Sequence, residues 1–249
     1  MNQLLLFPMV FLAGFVDAIA GGGGLISLPA YYASGLPVHT ALGSNKLSST
    51  LSTLAASVQY VKSGRVHLPV ALVSGGFAVA GSILGAKLAL FISGNAMGVV
   101  MMALTPVIAA FTIFNRNFGA APKQRLFGFP LYAVCAALGL LLGAYDGFFG
   151  PGSGTFWIIA LTSVIGLDAV QASGTAKIAN LASCVGSLAT FALNGRVDYA
   201  LALPAALFGI LGGLAGSRLA VRKGAKVIRP MMLGVMGLLL VKTALDTFV

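Results

Sequence analysis

Long apolar stretches, separated by short clusters of charged residues, glycine and proline, run the length of the chain. A helix that crosses a bilayer needs about 20 apolar residues. On that criterion the pattern predicts helices near residues 3–20, 38–61, 68–91, 95–114, 127–145, 175–194, 198–220 and 230–248. Two shorter apolar segments, near 24–34 and 153–166, follow glycine-rich stretches and are too short to span a bilayer comfortably. Membrane β-strands would read as alternating segments of ~10 residues, whereas these runs are unbroken. In lipid such runs must satisfy their own backbone groups, so they are helices. The expected fold is all-α, a polytopic integral membrane protein.

Composition sharpens this picture. Charged residues make up 8% of the chain and apolar residues 58%, and the mean hydropathy is +0.99. A soluble domain carries charge on about a quarter of its residues, so lipid must serve as solvent for much of this surface. The net charge of +10 does not point to nucleic acid, because the lysines and arginines fall mostly between the apolar runs, where the positive-inside rule expects them. Cys135 and Cys184 lie inside apolar runs, at no metal-ligand spacing, and read as small core-filling residues rather than a disulfide framework. Asn2 and Gln3 do not make a basic leader, so the first residues read as a membrane segment and not a signal peptide. The expected location is the cytoplasmic (inner) membrane, with multiple passes.

The chain also repeats itself. At an offset of 131 residues, Gly35-Leu36 matches Gly166-Leu167, Ala41 matches Ala172, Gly43 matches Gly174 and Lys46 matches Lys177. Gly64-Arg65-Val66 matches Gly195-Arg196-Val197, Gly81 and Gly85 match Gly212 and Gly216, and Lys87 matches Arg218 in charge. Upstream the offset is 129, pairing Gly14, Asp17 and Gly21 with Gly143, Asp146 and Gly150. So many matches at a fixed offset indicate duplication, with one membrane repeat at 1–120 and a second at 121–249. Arg116, Pro122, Lys123 and Arg125 form a polar connector between them.

Loop charges orient the halves. If the second half is inverted, one side of the membrane collects Lys62, Arg65, Arg116, Lys123, Arg125, Arg222, Lys223, Lys226 and Arg229. The other keeps little beyond Arg196, beside Asp198, and Lys87. Parallel halves would erase this bias, so the positive-inside rule favours inversion. Inversion needs an odd number of crossings per half, so each short glycine-led segment is counted as a crossing, by itself or with its neighbour as a broken pair, and both termini are expected outside the cytoplasm.

Chemistry concentrates at two glycine-rich stretches. Gly14-Phe15-Val16-Asp17-Ala18-Ile19-Ala20-Gly21-Gly22-Gly23-Gly24 places four consecutive glycines in an apolar run, and its counterpart is Gly143-Ala144-Tyr145-Asp146-Gly147-Phe148-Phe149-Gly150-Pro151-Gly152-Ser153-Gly154. Glycine costs about 1 kcal/mol relative to alanine inside a helix, so both stretches predict broken helices. Each break offers free N–H groups and a positive dipole end, which suit an anion. Paired breaks in corresponding positions of two halves are the best sequence pointer to a transporter site, although glycines also serve close helix packing. The candidate substrate-binding residues are Gly21, Gly22, Gly23, Gly24, Gly150, Gly152, Ser153 and Gly154, with Ser44, Asn45, Lys46, Thr175, Lys177 and Asn180 nearby in sequence pattern. Lys46 and Lys177 fit charge neutralisation of a bound anion, snorkelling to headgroups, or pairing with Asp17 and Asp146. Those two aspartates fit proton coupling, a counter-ion role or helix capping. His39 and His67 read as interfacial, and Tyr31, Tyr32 and Trp157 as interface or packing aromatics.

Ala13-Gly14-Phe15-Val16-Asp17-Ala18-Ile19-Ala20-Gly21-Gly22-Gly23-Gly24-Leu25, Ser44-Asn45-Lys46-Leu47, Tyr145-Asp146-Gly147-Phe148-Phe149-Gly150-Pro151-Gly152-Ser153-Gly154 and Ala176-Lys177-Ile178-Ala179-Asn180 resemble the TauE/SafE, or sulfite-exporter, family of membrane permeases, especially its YfcA-like branch. The stretches lie in both halves, so the resemblance covers essentially the whole chain. It implies a bacterial inner-membrane carrier with duplicated halves that moves small anions, often sulfur-containing oxyanions or organosulfonates.

The expected function is therefore a secondary transporter, not an enzyme, whose partners are a small anionic substrate, the lipid bilayer and a coupling proton or cation. No metal site or cofactor is expected, and no nucleotide-binding or hydrolase motif is present. Two other readings stay open: an anion channel without alternating access, and a non-catalytic membrane assembly protein.

Overall fold

A computed structural model describes residues 5–100, 126–228, 230 and 231. Every regular element among them is helical: α1 (Leu6–Ala20), α2 (Gly24–Ala33), α3 (Val38–Lys62), α4 (Leu68–Phe91), α5 (Gly128–Phe148), α6 (Ser153–Ala160), α7 (Ala169–Leu193) and α8 (Tyr199–Lys223). One π turn, Leu161–Ile165, continues α6. Of the segment expected at 95–114, residues 94–100 are helical and the rest lies outside the described residues, as do Arg116, Pro122, Lys123, Arg125 and Arg229 of the expected loops and nearly all of 230–248.

Among the described residues four helices, α4, α5, α7 and α8, are long and apolar enough to cross a membrane. With 25 residues, α3 is as long as α7, but it is rich in buried serine and threonine. It tolerates them because it lies inside the bundle, where neighbouring helices rather than lipid meet its polar face.

The expected start of the sixth span at 175 is corrected to Ala169. The carboxylate of Asp168 accepts hydrogen bonds from the N–H groups of Val170 and Gln171, at 2.9 and 3.0 Å, and so caps the helix earlier. Gly174 lies within the helix, as a contact point for the Arg65 carbonyl. Asp168→Ala is expected to cost about 0.5–2 kcal/mol, read as a lower Tm in detergent with unchanged helical content at low temperature.

Glycines set the helix pairing. A Cβ on Gly212 or Gly216 of α8 would strike the carbonyls of Phe11 or Phe15 of α1. In the same way, a Cβ on Gly81 or Gly85 of α4 would strike those of Leu140 or Ala144 of α5. Both contacts advance in step, so α1 runs parallel to α8, and α5 to α4, as close as small residues allow. The central pair, α3 and α7, runs antiparallel. The Arg65 carbonyl after α3 lies against Gly174 near the start of α7, and the Arg196 carbonyl after α7 lies against Gly43 near the start of α3.

The short helices do not cross. At 1.5 Å per residue, α1 and α2 reach about 22 and 15 Å against a hydrocarbon core of about 30 Å. Leu6 and Val10 at the start of α1 share an apolar cluster with Leu28 and Tyr31 of α2, whereas Ile19 and Ala20 belong to another cluster. The chain thus enters along α1, turns at the glycines and returns along α2. Leu131 of α5 and Ile158, Leu161 and Ile165 likewise share a cluster, while Phe149 at the turn sits in the opposite one. Each glycine-led segment is therefore the returning arm of a re-entrant hairpin. A returning arm adds no crossing of its own, so the parity of the loops is unchanged.

Candidate functional site

Each hairpin turn follows from its glycines. α1 ends where Gly21 adopts φ 79°, its N–H donating to the Asp17 carbonyl at 2.8 Å; a left-handed cap of this kind suits glycine, which has no Cβ. In the second turn Gly150 and Gly152 take φ 95° and 82° around Pro151, and the Tyr145 hydroxyl donates to the Pro151 carbonyl.

The two turns meet. The Thr155 hydroxyl donates to the Ala20 carbonyl at 2.8 Å, Gly21 abuts the backbone of Gly154 and Thr155, and Gly24 faces Pro151. Gly23 N–H donates to Asp17 Oδ1 at 3.4 Å. The N–H groups of Gly22, Gly24, Gly152 and Gly154 meet no protein acceptor among the described residues.

Two ion pairs flank this contact, each joining one half to the other. Lys46 Nζ lies 2.9 Å from Asp146 Oδ1, and Lys177 Nζ lies 2.6 Å from Asp17 Oδ2. An unpaired charge at this depth costs several kcal/mol, so each lysine is held by its partner. The two environments differ. Asp146 also accepts from the hydroxyls of Ser153 (2.7 Å) and Ser183 (2.6 Å), and its side chain is 3% exposed. Asp17 has only Lys177 and Gly23, and its side chain is 19% exposed. It borders a small cavity of about 20 Å³, room for about one water molecule.

Not every residue singled out from sequence joins this centre. Ser44 Oγ accepts from Asp198 N–H, and Thr175 Oγ1 from His67 N–H, at 2.9 Å each. These two tie the loops after α7 and α3 to the opposite half, away from the turns. Asn45 is buried with its side-chain amide oxygen unpartnered among the described residues, and Asn180 Oδ1 lies 3.1 Å from Ser153 Oγ. Trp157 and Tyr31 are fully buried packing residues, whereas Tyr32 is exposed. Both cysteines are buried and free.

Sequence reasoning passed over Ser27, Ser48, Ser49, Ser52, Thr155 and Ser183, which also build the site. Ser44, Ser48 and Ser52 recur at four-residue spacing in an otherwise membrane-like segment, a one-faced polar stripe that was visible without a structure.

A helical bundle with lipid-facing apolar surface and buried, ion-paired hairpin turns defines a multi-pass protein of the cytoplasmic membrane. The chain belongs to the sulfite exporter TauE/SafE family, whose model matches residues 6–243. It is accordingly a membrane transporter and not an enzyme. Its relatives include the probable membrane transporter protein ORF9 of Sinorhizobium sp, 36% identical over 91% of this chain and 86% of the relative. The probable membrane transporter protein YfcA of Escherichia coli K12 is 33% identical over 97% and 89%. A probable membrane transporter protein of Haemophilus influenzae is 32% identical over 92% and 89%. No solved structure matches the chain.

Proposed function

We propose that this transporter is a secondary carrier built from two inverted repeats, 1–120 and 121–249, which moves a small sulfur-containing oxyanion or organosulfonate by alternating access. The observation that carries this reading is the meeting of two interrupted hairpins, from opposite halves, at unspent peptide N–H groups between two cross-half ion pairs. Inversion accounts for the antiparallel run of α3 and α7 and for the reciprocal placing of Gly43 and Gly174. Around the 62–67 loop and the end of α8 lie Lys62, Arg65, Arg222, Lys223 and Lys226, against Arg196 and Lys87 at the other end, so the first end is cytoplasmic.

In this mechanism the anion binds between the turns. The N–H groups of Gly22, Gly24, Gly152 and Gly154 receive its oxygens, and Lys46 and Lys177 supply positive charge as they leave their aspartates. Rocking of one half against the other opens the turns to each side in succession.

The test is uptake of sulfite, thiosulfate and a small alkyl sulfonate into proteoliposomes. Saturable uptake is expected, with Lys177→Ala reducing it at least tenfold while the protein stays monodisperse. Wild-type uptake in both Lys46→Ala and Lys177→Ala would remove the lysines from the mechanism, and flux that never saturates would make the protein a channel.

A further inference from the structure

We propose that the cavity beside Asp17 is a sodium site, and that a cation bound there competes with Lys177 for the Asp17 carboxylate.

The cavity holds one water-sized body, and three of its hydroxyls face it as acceptors. Ser27, Ser48 and Ser52 donate to the carbonyls of Gly23, Asn45 and Gly209, at 3.2, 3.1 and 2.8 Å. A carbonyl only accepts and a hydroxyl has one hydrogen, so what these three oxygens have left to offer is lone pairs. Ser49 adds a further hydroxyl to the lining. Asp17 Oδ2 is taken by Lys177, while Oδ1 receives only the long 3.4 Å contact from Gly23 N–H. Hydroxyl, carbonyl and carboxylate oxygens around a space of this size suit a hard cation. One carboxylate already shared with a lysine suits a single positive charge, not two. Gly24, at the N-terminus of α2, also lines the cavity; its helix end carries about half a charge and opposes a cation, whereas the Asp17 carboxylate, shared with Lys177, favours one.

Among the described residues, the equivalent positions of the second half are filled differently. There the residue at the position of Ser52, Ser183, donates straight to Asp146. Ala179 stands in place of Ser48, and Ser153 and Lys46 occupy the other carboxylate oxygen. The duplicated positions have thus diverged into one locked ion pair and one pair beside an open cavity. A sodium ion on Oδ1 weakens the hold of Asp17 on Lys177 and frees the ammonium for an anion. Loading is then ordered, cation first; this coupling step rests on the proposed transport function, whereas cation binding itself does not.

The test follows thermal unfolding of the full chain in detergent at fixed pH and ionic strength, comparing sodium, potassium and choline chlorides without any anionic substrate. Sodium alone is expected to raise Tm, saturably, by about 2–4 °C. The rise should vanish in Asp17→Asn and in the milder Ser48→Ala/Ser49→Ala double variant, and persist in Ser183→Ala. Equal curves in sodium and choline, an equal response to potassium, or a rise that survives in Ser48→Ala/Ser49→Ala would overturn the proposal. Saturable anion uptake that ignores sodium would overturn it too while leaving the carrier reading intact. A sodium-dependent Tm in a protein that takes up no anion would do the reverse.

Discussion

Lys46→Ala is expected to lower stability by about 3–5 kcal/mol, enough to lower Tm by about 6–20 °C in a domain of this size. Lys46 and Asp146 are 4% and 3% exposed, so deleting the lysine strands a carboxylate where no water can reach it. The hydroxyls of Ser153 and Ser183 hydrogen-bond that charge but cannot neutralise it. Removing both partners is a different experiment. Lys46→Met/Asp146→Asn leaves no buried charge and should recover most of the loss, which a double-mutant cycle measures directly. Lys177→Ala should cost less, because Asp17 is partly exposed beside its cavity. Equal stability of Lys46→Ala and the wild type would show that Asp146 is solvated.

Gly21→Ala should abolish transport or prevent folding altogether. At φ 79° an L-residue loses about 1–2 kcal/mol to its own backbone. Its methyl group would also run into the backbone of Gly154 and Thr155 in the opposite hairpin. Backbone cannot swing aside as a flexible side chain can, so the two turns must separate and the Thr155 to Ala20 hydrogen bond is lost. Gly76→Ala is the control. It lies in α4 with nothing near the added methyl and should be neutral or gain up to about 1 kcal/mol. Expression, monodispersity and uptake of both variants decide the matter; a Gly21→Ala protein that folds and transports normally would mean the turns do not touch.

Much of this site was legible without coordinates because its signals are local. A bilayer sets the length of a span and makes any interior charge expensive, so apolar runs, embedded lysines and aspartates, and clustered glycines stand out in one dimension. The repeat offset is local in the same sense, since duplication leaves matched residues at a fixed distance. Helix ends were less secure: the expected span at 175–194 starts at Ala169, because Asp168 caps the helix there.

Contacts between distant segments were not legible. Composition and hydropathy established a helical membrane protein, and the glycine clusters established where its helices break. Only the tertiary structure decided that the broken segments fold back as hairpins, since a segment of ten apolar residues returns or crosses according to what it packs on. It also decided that Lys46 meets Asp146 and Lys177 meets Asp17, pairs 100 and 160 residues apart. Ser44 and Thr175 matched the pattern of site residues yet bind loops, because an amino-acid type fixes what a side chain can donate or accept, while its partner depends on which backbone the fold brings within reach.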